Sequence, residues 1–216
     1  MRLDSLNKHL YQINWFGVAG GILIITVIIV SLNFPWWQLD IAEGAVKINV
    51  SPMNTNIGLL GTNFKIPLIH ALNIGSICTF LCSGIIMFIY SIAPTKPYAK
   101  DLLDFAWRKP IYSVITSTLC ISLIILVAQA TLDMNIPIIG TANVTLPTEQ
   151  FIDGVGINVT ASAAFKWPLY LAITAASLCI LARIYHKKIT HHLQSQKYNK
   201  LFSTHGKFKD LSNINH

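Results

Sequence analysis

Four stretches of the chain are almost wholly apolar: Trp15 to Leu32, Pro67 to Tyr90, Pro110 to Leu132 and Pro168 to Ile184. Each approaches the ~20 residues of helix needed to cross a hydrocarbon layer of ~30 Å. The segments between them alternate in character. Within Asn33 to Ile66, Val46, Ile48 and Val50 interleave with Lys47 and Asn49, and within Asp133 to Trp167, Ile157 and Val159 repeat the pattern. Period-two alternation bounded by Ser51-Pro52, Gly61-Thr62-Asn63 and Asp153-Gly154 predicts short strands. Leu6, Leu10 and Ile13, and then Leu102, Phe105 and Ala106, have helical spacing and predict short interfacial helices. The fourth helix is expected to run on from His186 to Lys200, ahead of a polar, poorly ordered end.

These elements predict an all-α membrane protein: a four-transmembrane-helix bundle of two tandem helix-loop-helix repeats, 15–93 and 110–185, under a small β-rich external cap. A segment 1–14, a basic loop 94–109 and a basic tail 186–216 flank the repeats. The repeat is visible in the residues. Phe64-Lys65-Ile66-Pro67-Leu68 opens the second span and Phe165-Lys166-Trp167-Pro168-Leu169 the fourth. At the same offset, Ala71, Ser76 and Cys78 match Ala172, Ser177 and Cys179. Upstream, Gly44 to Ser51 resembles Gly154 to Thr160. Two spans per unit give both copies one orientation, which predicts a parallel pseudo-twofold axis along the membrane normal.

Composition fits a bilayer. Hydrophobic residues make up 53% of the chain and charged residues 12%, with a mean hydropathy of +0.53, about half the charge usual in soluble domains. The net charge of +7 is placed beside the spans, so it points to lipid rather than nucleic acid. Thirteen of sixteen Lys and Arg residues lie before Trp15, between Thr95 and Lys109, or from Arg183 onward. By the positive-inside rule those segments, including both termini, are cytoplasmic, and the chain is a multi-pass protein of the cell membrane. Trp15 and Trp107 fall at inner boundaries, and Trp36, Trp37 and Trp167 at outer ones, where indole rings favour the headgroup level. Pro67, Pro110 and Pro168 each open a span, where a missing N–H costs nothing. Arg2 and Lys8 precede the first span, but its length and its Ser-Leu-Asn-Phe-Pro-Trp-Trp end argue against a cleaved signal.

Candidate chemistry is sparse. His70 and Asn73, spaced i and i+3, share a helix face near the outer end of the second span and suit an interhelical hydrogen bond or a ligand site. No second histidine lies at comparable depth, Met87 is too far away and Met134 has no support, so no haem or other cofactor is expected. Cys78, Cys120 and Cys179 sit near the midplane with Cys82 a turn from Cys78, as small apolar side chains rather than a metal site, and no disulfide staples the loops. Gly17 with Gly21, Ala71 with Gly75 and Ala172 with Ala176 are small-residue packing faces. Asn49, Asn143 and Asn158 satisfy the glycosylation sequon. His186, His191 and His192 with Lys187 and Lys188 form a cluster suited to anionic lipid. Asp40, Glu43, Asp133, Glu149 and Asp153 are scattered through the loops and no acid lies within a span, which removes the usual carboxylates of catalysis and proton pumping.

Claudin-like proteins share the four-span layout with external strands, but the Trp-Cys-Cys signature of their first loop is missing, so no kinship follows. The leading expectation is a non-catalytic envelope component or subunit of a larger membrane complex, partnered by lipid and by other membrane chains or copies of itself. Two alternatives are a transporter or channel with a path along the repeat axis, lined by His70, Asn73, Ser76, Thr174 and Ser177, and a membrane-anchor subunit of a respiratory complex.

Overall fold

The computed structural model describes residues 13–64, 66–132, 136–146 and 157–212. Among them are four helices, α1 (Trp15–Asn33), α2 (Pro67–Ile92), α3 (Ala99–Leu132) and α4 (Trp167–Ser212). Six strands accompany them: β1 (Trp37–Ile41), β2 (Val46–Val50), β3 (Asn56–Leu59), β4 (Thr62–Phe64), β5 (Gly140–Leu146) and β6 (Ile157–Phe165). The strands form one antiparallel sheet in the order β4-β3-β2-β1-β6-β5.

The all-α class therefore does not hold. The α1–α2 and α3–α4 loops pair into a single sheet at one end of the helices, which makes the architecture α+β. Alternation explains why. The register aligns Val46, Ile48 and Val50 with Ile41, Leu39 and Trp37, and these with Ala161, Ala163 and Phe165. Because side chains alternate across a strand, one face of the sheet is apolar and the other carries Lys47, Asn49, Gln38, Asp40, Ser162, Thr160 and Asn143. Each loop supplies strands that could not bury their apolar face alone.

That sheet also overturns the pseudo-twofold. In the repeat alignment β2 corresponds to the start of β6, and an axis exchanging them would convert the observed β1–β6 pair into a β5–β2 pair. Instead β2 lies between β1 and β3. The second loop runs its Ile157-Asn158-Val159-Thr160 motif straight into Phe165 as one strand, whereas the first loop separates the matching Ile48-Asn49-Val50-Ser51 from Phe64 by two further strands.

The expected four-helix bundle is the second correction, because its third member is part of a longer helix that also covers the sheet. Among the described residues, three helices are long and apolar enough to cross a membrane: Trp15–Asn33, Pro67–Ile92 and Trp167–Lys188. The segment expected as the third span lies inside α3. Its later turns cover the sheet, where Ile121 and Ile125 pack with Trp37, Leu39, Ile41, Ile136, Val144, Ala161 and Ala163, and the Gln129 amide donates to the Ile136 carbonyl at 3.0 Å. Its first turns carry Lys100, Asp101, Asp104, Arg108 and Lys109. Pro110 does not open a helix but sits within one, fully buried. Lacking an N–H, it leaves the Ala106 carbonyl without its usual donor, and the Ser83 hydroxyl of α2 donates to that carbonyl at 2.7 Å.

A second core joins the helices around Ile24, Val27, Met87, Tyr90, Leu103 and Cys179. Close approach is set by small residues: a Cβ at Gly21 would stand 3.1 Å from the Gly84 carbonyl oxygen, and one at Gly20 3.3 Å from Cys179 Sγ. Ala172 and Ala176 are buried as expected, but Ala71 is exposed and a Cβ at Gly75 would meet nothing within 4 Å. Outward from this core, Ile22, Ile25, Ile29, Leu81, Ile85, Phe88, Ile180 and Leu181 are exposed, the apolar exterior that lipid stabilises and water does not.

Trp15 and Trp167 are half exposed, as a headgroup belt requires, whereas Trp36 and Trp37 are fully buried. The Trp36 indole donates to Ser31 Oγ at 2.7 Å and that of Trp37 to the Ile138 carbonyl at 2.9 Å. They sit in the two different cores and so tie the sheet to the helices. Beyond the span, α4 runs past Lys200 to Ser212. The expected features at Leu6, Leu10, Lys65, Asp133, Met134, Glu149, Asp153 and Gly154 lie outside the described residues.

Candidate functional site

Polar groups concentrate where α2 meets the turn after β2. Ser51 Oγ donates to the Ser31 carbonyl at 3.2 Å, the Met53 N–H donates to Ser51 Oγ at 3.1 Å, and Asn54 Nδ2 donates to the Leu32 carbonyl at 2.8 Å. These bonds fasten the turn to the end of α1. In the amide orientation that matches donors to acceptors, Asn73 donates to the Pro52 carbonyl at 3.2 Å and accepts from the Thr55 N–H at 3.0 Å. Asn73 is therefore a buried clasp between α2 and the turn, not a bridge to another helix.

His70, one turn earlier on α2, is exposed at a cavity of about 330 Å³ shared with Asn54, Asn56, Asn73 and Ile77. On the other side of Asn73 lies a larger groove of about 660 Å³ between α2 and α3, closed at one end by Val50 to Thr55. From α2 it is lined by Leu72, Gly75, Ser76, Thr79 and Phe80, and from α3 by Lys109, Tyr112, Ser113, Thr116, Ser117 and Cys120. The groove exists because small residues on both helices leave a gap beyond the Ser83–Ala106 bond. His70, Asn73 and Ser76 are thus brought to adjoining cavities.

Thr174 and Ser177 are not. Both are exposed on α4 and donate back to their own helix, to Tyr170 at 2.8 Å and Ile173 at 2.9 Å. The five residues expected along a repeat axis do not share one lining. Nor do the thiols gather: Cys78, Cys82 and Cys120 are exposed, while Cys179 is buried against Gly20. The sequon residues Asn49, Asn143 and Asn158 all fall on the polar face of the sheet, Asn143 and Asn158 exposed and Asn49 with its Oδ1 buried.

At the opposite end of the helices, Asn14 joins three elements. Its Nδ2 donates to Tyr90 Oη at 2.8 Å and to the Ala182 carbonyl at 2.9 Å, while its Oδ1 caps α1 through the Gly17 N–H at 3.2 Å. Nearby, Arg183 lies 3.8 Å from Asp104 and stacks 4.0 Å above the Trp107 ring, and His186 packs edge-on against Tyr90. Lys187 and Lys188 are exposed, and the side chains of His191 and His192 lie outside the described residues.

Sequence reasoning overlooked the α3 wall of the groove. Its signal was present: Ser113, Thr116, Ser117 and Cys120 follow at i, i+3, i+4 and i+7, a polar stripe along an otherwise apolar helix. The other open feature is β5, which pairs with β6 on one side and ends the sheet on the other. No protein-family model matches the chain, and no curated protein matches it.

Proposed function

We propose that this is a non-catalytic integral protein of the cell membrane, with cytoplasmic termini, that uses its external sheet to dock a second chain in a larger membrane complex. The observation that carries this reading is the edge of β5, seven residues long from Gly140 to Leu146, which no strand covers among the described residues. Proteins usually blunt such edges with short strands, lysine or proline, because unpaired N–H and C=O groups recruit another strand. The opposite edge, β4, is blunted in that way, with three residues. Strand β5 contains neither lysine nor proline, and its Thr141 and Asn143 are exposed. Strand addition there would supply main-chain hydrogen bonds for affinity and side-chain alternation for register. The distribution of Lys and Arg supports the orientation, and Lys187 and Lys188 would hold anionic lipid at about 1 kcal/mol each.

The experiment is purification of the tagged chain from native membranes in mild detergent, beside a Thr141→Lys/Asn143→Lys variant. The reading expects a stoichiometric companion that the variant loses while its thermal unfolding is unchanged. A chain that elutes alone in both forms would refute it.

A further inference from the structure

The groove between α2 and α3 contains a cation where a bilayer-crossing protein should not leave one unpaired. Ser83 Oγ meets the Ala106 carbonyl at 2.7 Å, which fixes the register of these antiparallel helices. Lys109, three residues beyond Ala106, consequently stands level with Phe80, near the midpoint of the candidate span Pro67–Ile92. Its side chain lines the groove, with Nζ 5.1 Å from the centre of the Phe105 ring. Among the described residues the one ion pair is Arg183 with Asp104, so Lys109 has no counter-charge. Ionisable side chains at membrane depth are costly and mark ligand sites unless paired.

The surroundings specify the ligand further. Ser76, Ser113, Thr116 and Ser117 line the same groove, and among the described residues none of these hydroxyls has a hydrogen bond within the protein. Thr79 donates to the Gly75 carbonyl at 2.8 Å and keeps its oxygen as an acceptor. Lysine donors and free hydroxyls suit an anionic oxygen head. The walls are otherwise apolar, and the groove opens sideways past Leu72 and Tyr112, 63% and 60% exposed, toward the surface that lipid covers. A volume of about 660 Å³ is that of a site for one small ligand, within the ~300–1,000 Å³ usual for such sites, rather than for a two-chain lipid.

We propose that this groove binds a single-chain amphiphile with a carboxylate head, the head on Lys109 and the neighbouring hydroxyls and the chain leaving between α2 and α3 into the bilayer. The site is separate from the β5 edge and does not depend on the docking reading.

The test uses the full chain in phosphatidylcholine vesicles containing palmitate with a photoreactive diazirine in its chain, followed by peptide mapping. Adducts are expected on the groove-lining segments 69–80 and 109–120, displaced by unlabelled palmitate and not by methyl palmitate. Lys109→Met should lower their yield at least tenfold and Lys109→Arg should restore it. Gly75→Leu supplies a second variant, since position 75 lines the groove and a Cβ there meets nothing within 4 Å; it too should abolish labelling. Displacement by methyl palmitate as effective as by palmitate would overturn the proposal, as would adducts spread equally over the exposed face of α1. Stronger displacement by the single-chain lysophosphatidic acid would assign the head to a phosphate and overturn the carboxylate.

Discussion

Replacing Ser83 with alanine tests the bond on which the register of α2 and α3 rests. Pro110 offers no N–H to the carbonyl one turn before it, and the Ser83 hydroxyl takes that role at 2.7 Å, with Ser83 and Ala106 both fully buried. Removing the hydroxyl deletes one oxygen atom and opens little space, so the cost is that of a buried acceptor without a donor, ~1–3 kcal/mol. The cost should depend on the proline. In a Pro110→Ala background the restored backbone N–H at position 110 can donate to Ala106, and Ser83→Ala should cost less than ~1 kcal/mol. The four proteins of the double-mutant cycle can be unfolded in mixed micelles by titrating a denaturing detergent, with helicity followed by circular dichroism. Equal losses in both backgrounds, with a coupling within ~0.5 kcal/mol of zero, would refute the reasoning.

Three further outcomes are expected. Gly21→Leu should destabilise the helices by ~1–3 kcal/mol through overpacking, since even a Cβ would lie 3.1 Å from the Gly84 carbonyl oxygen; unchanged unfolding would show that α1 and α2 do not approach here. Trp37→Ala removes a fully buried ring and its bond to Ile138 and should cost ~3–5 kcal/mol, read as rapid proteolysis of the sheet with helicity retained; a protease-resistant sheet would contradict the role given to that ring. A membrane-permeant maleimide should modify Cys78, Cys82 and Cys120 in the native protein and Cys179 only after denaturation, as counted by intact mass, and a fourth native adduct would contradict the packing of Cys179 against Gly20.

What was legible in the sequence is what composition and periodicity encode locally. Apolar runs gave three helices of spanning length, and alternation at Val46 to Val50 and Ile157 to Val159 gave strands. The same period could not reveal which strands pair: β1, with Trp37, Leu39 and Ile41, is the strand that joins the two loops, and nothing in its five residues names β6 as its neighbour. Hydropathy also could not show that Pro110 to Leu132 belongs to a longer helix whose later turns cover the sheet, with Ile121 and Ile125 buried against strands. A proline at the head of an apolar run reads as a helix start; its place inside α3 depends on Ser83, far away in sequence. Of the site, Asn73 and Ser76 stand out as polar groups in an apolar helix, whereas Lys109 reads as part of a basic loop, since its place beside α2 follows only from the register of two helices. Trp36 and Trp37 looked interfacial because their burial is created by the sheet they help to anchor.

Most directly testable is the placement of the α1–α2 and α3–α4 loops in one sheet on one side of a bilayer. Single-cysteine variants Lys47→Cys on β2 and Asn143→Cys on β5, both at exposed positions, can be made with the four native cysteines replaced by alanine. Their reaction with a membrane-impermeant maleimide is then compared in sealed vesicles of the two orientations. The account predicts that both positions react in the same orientation and are protected in the other. Reaction of the two positions from opposite sides, or of both from either side, would contradict it.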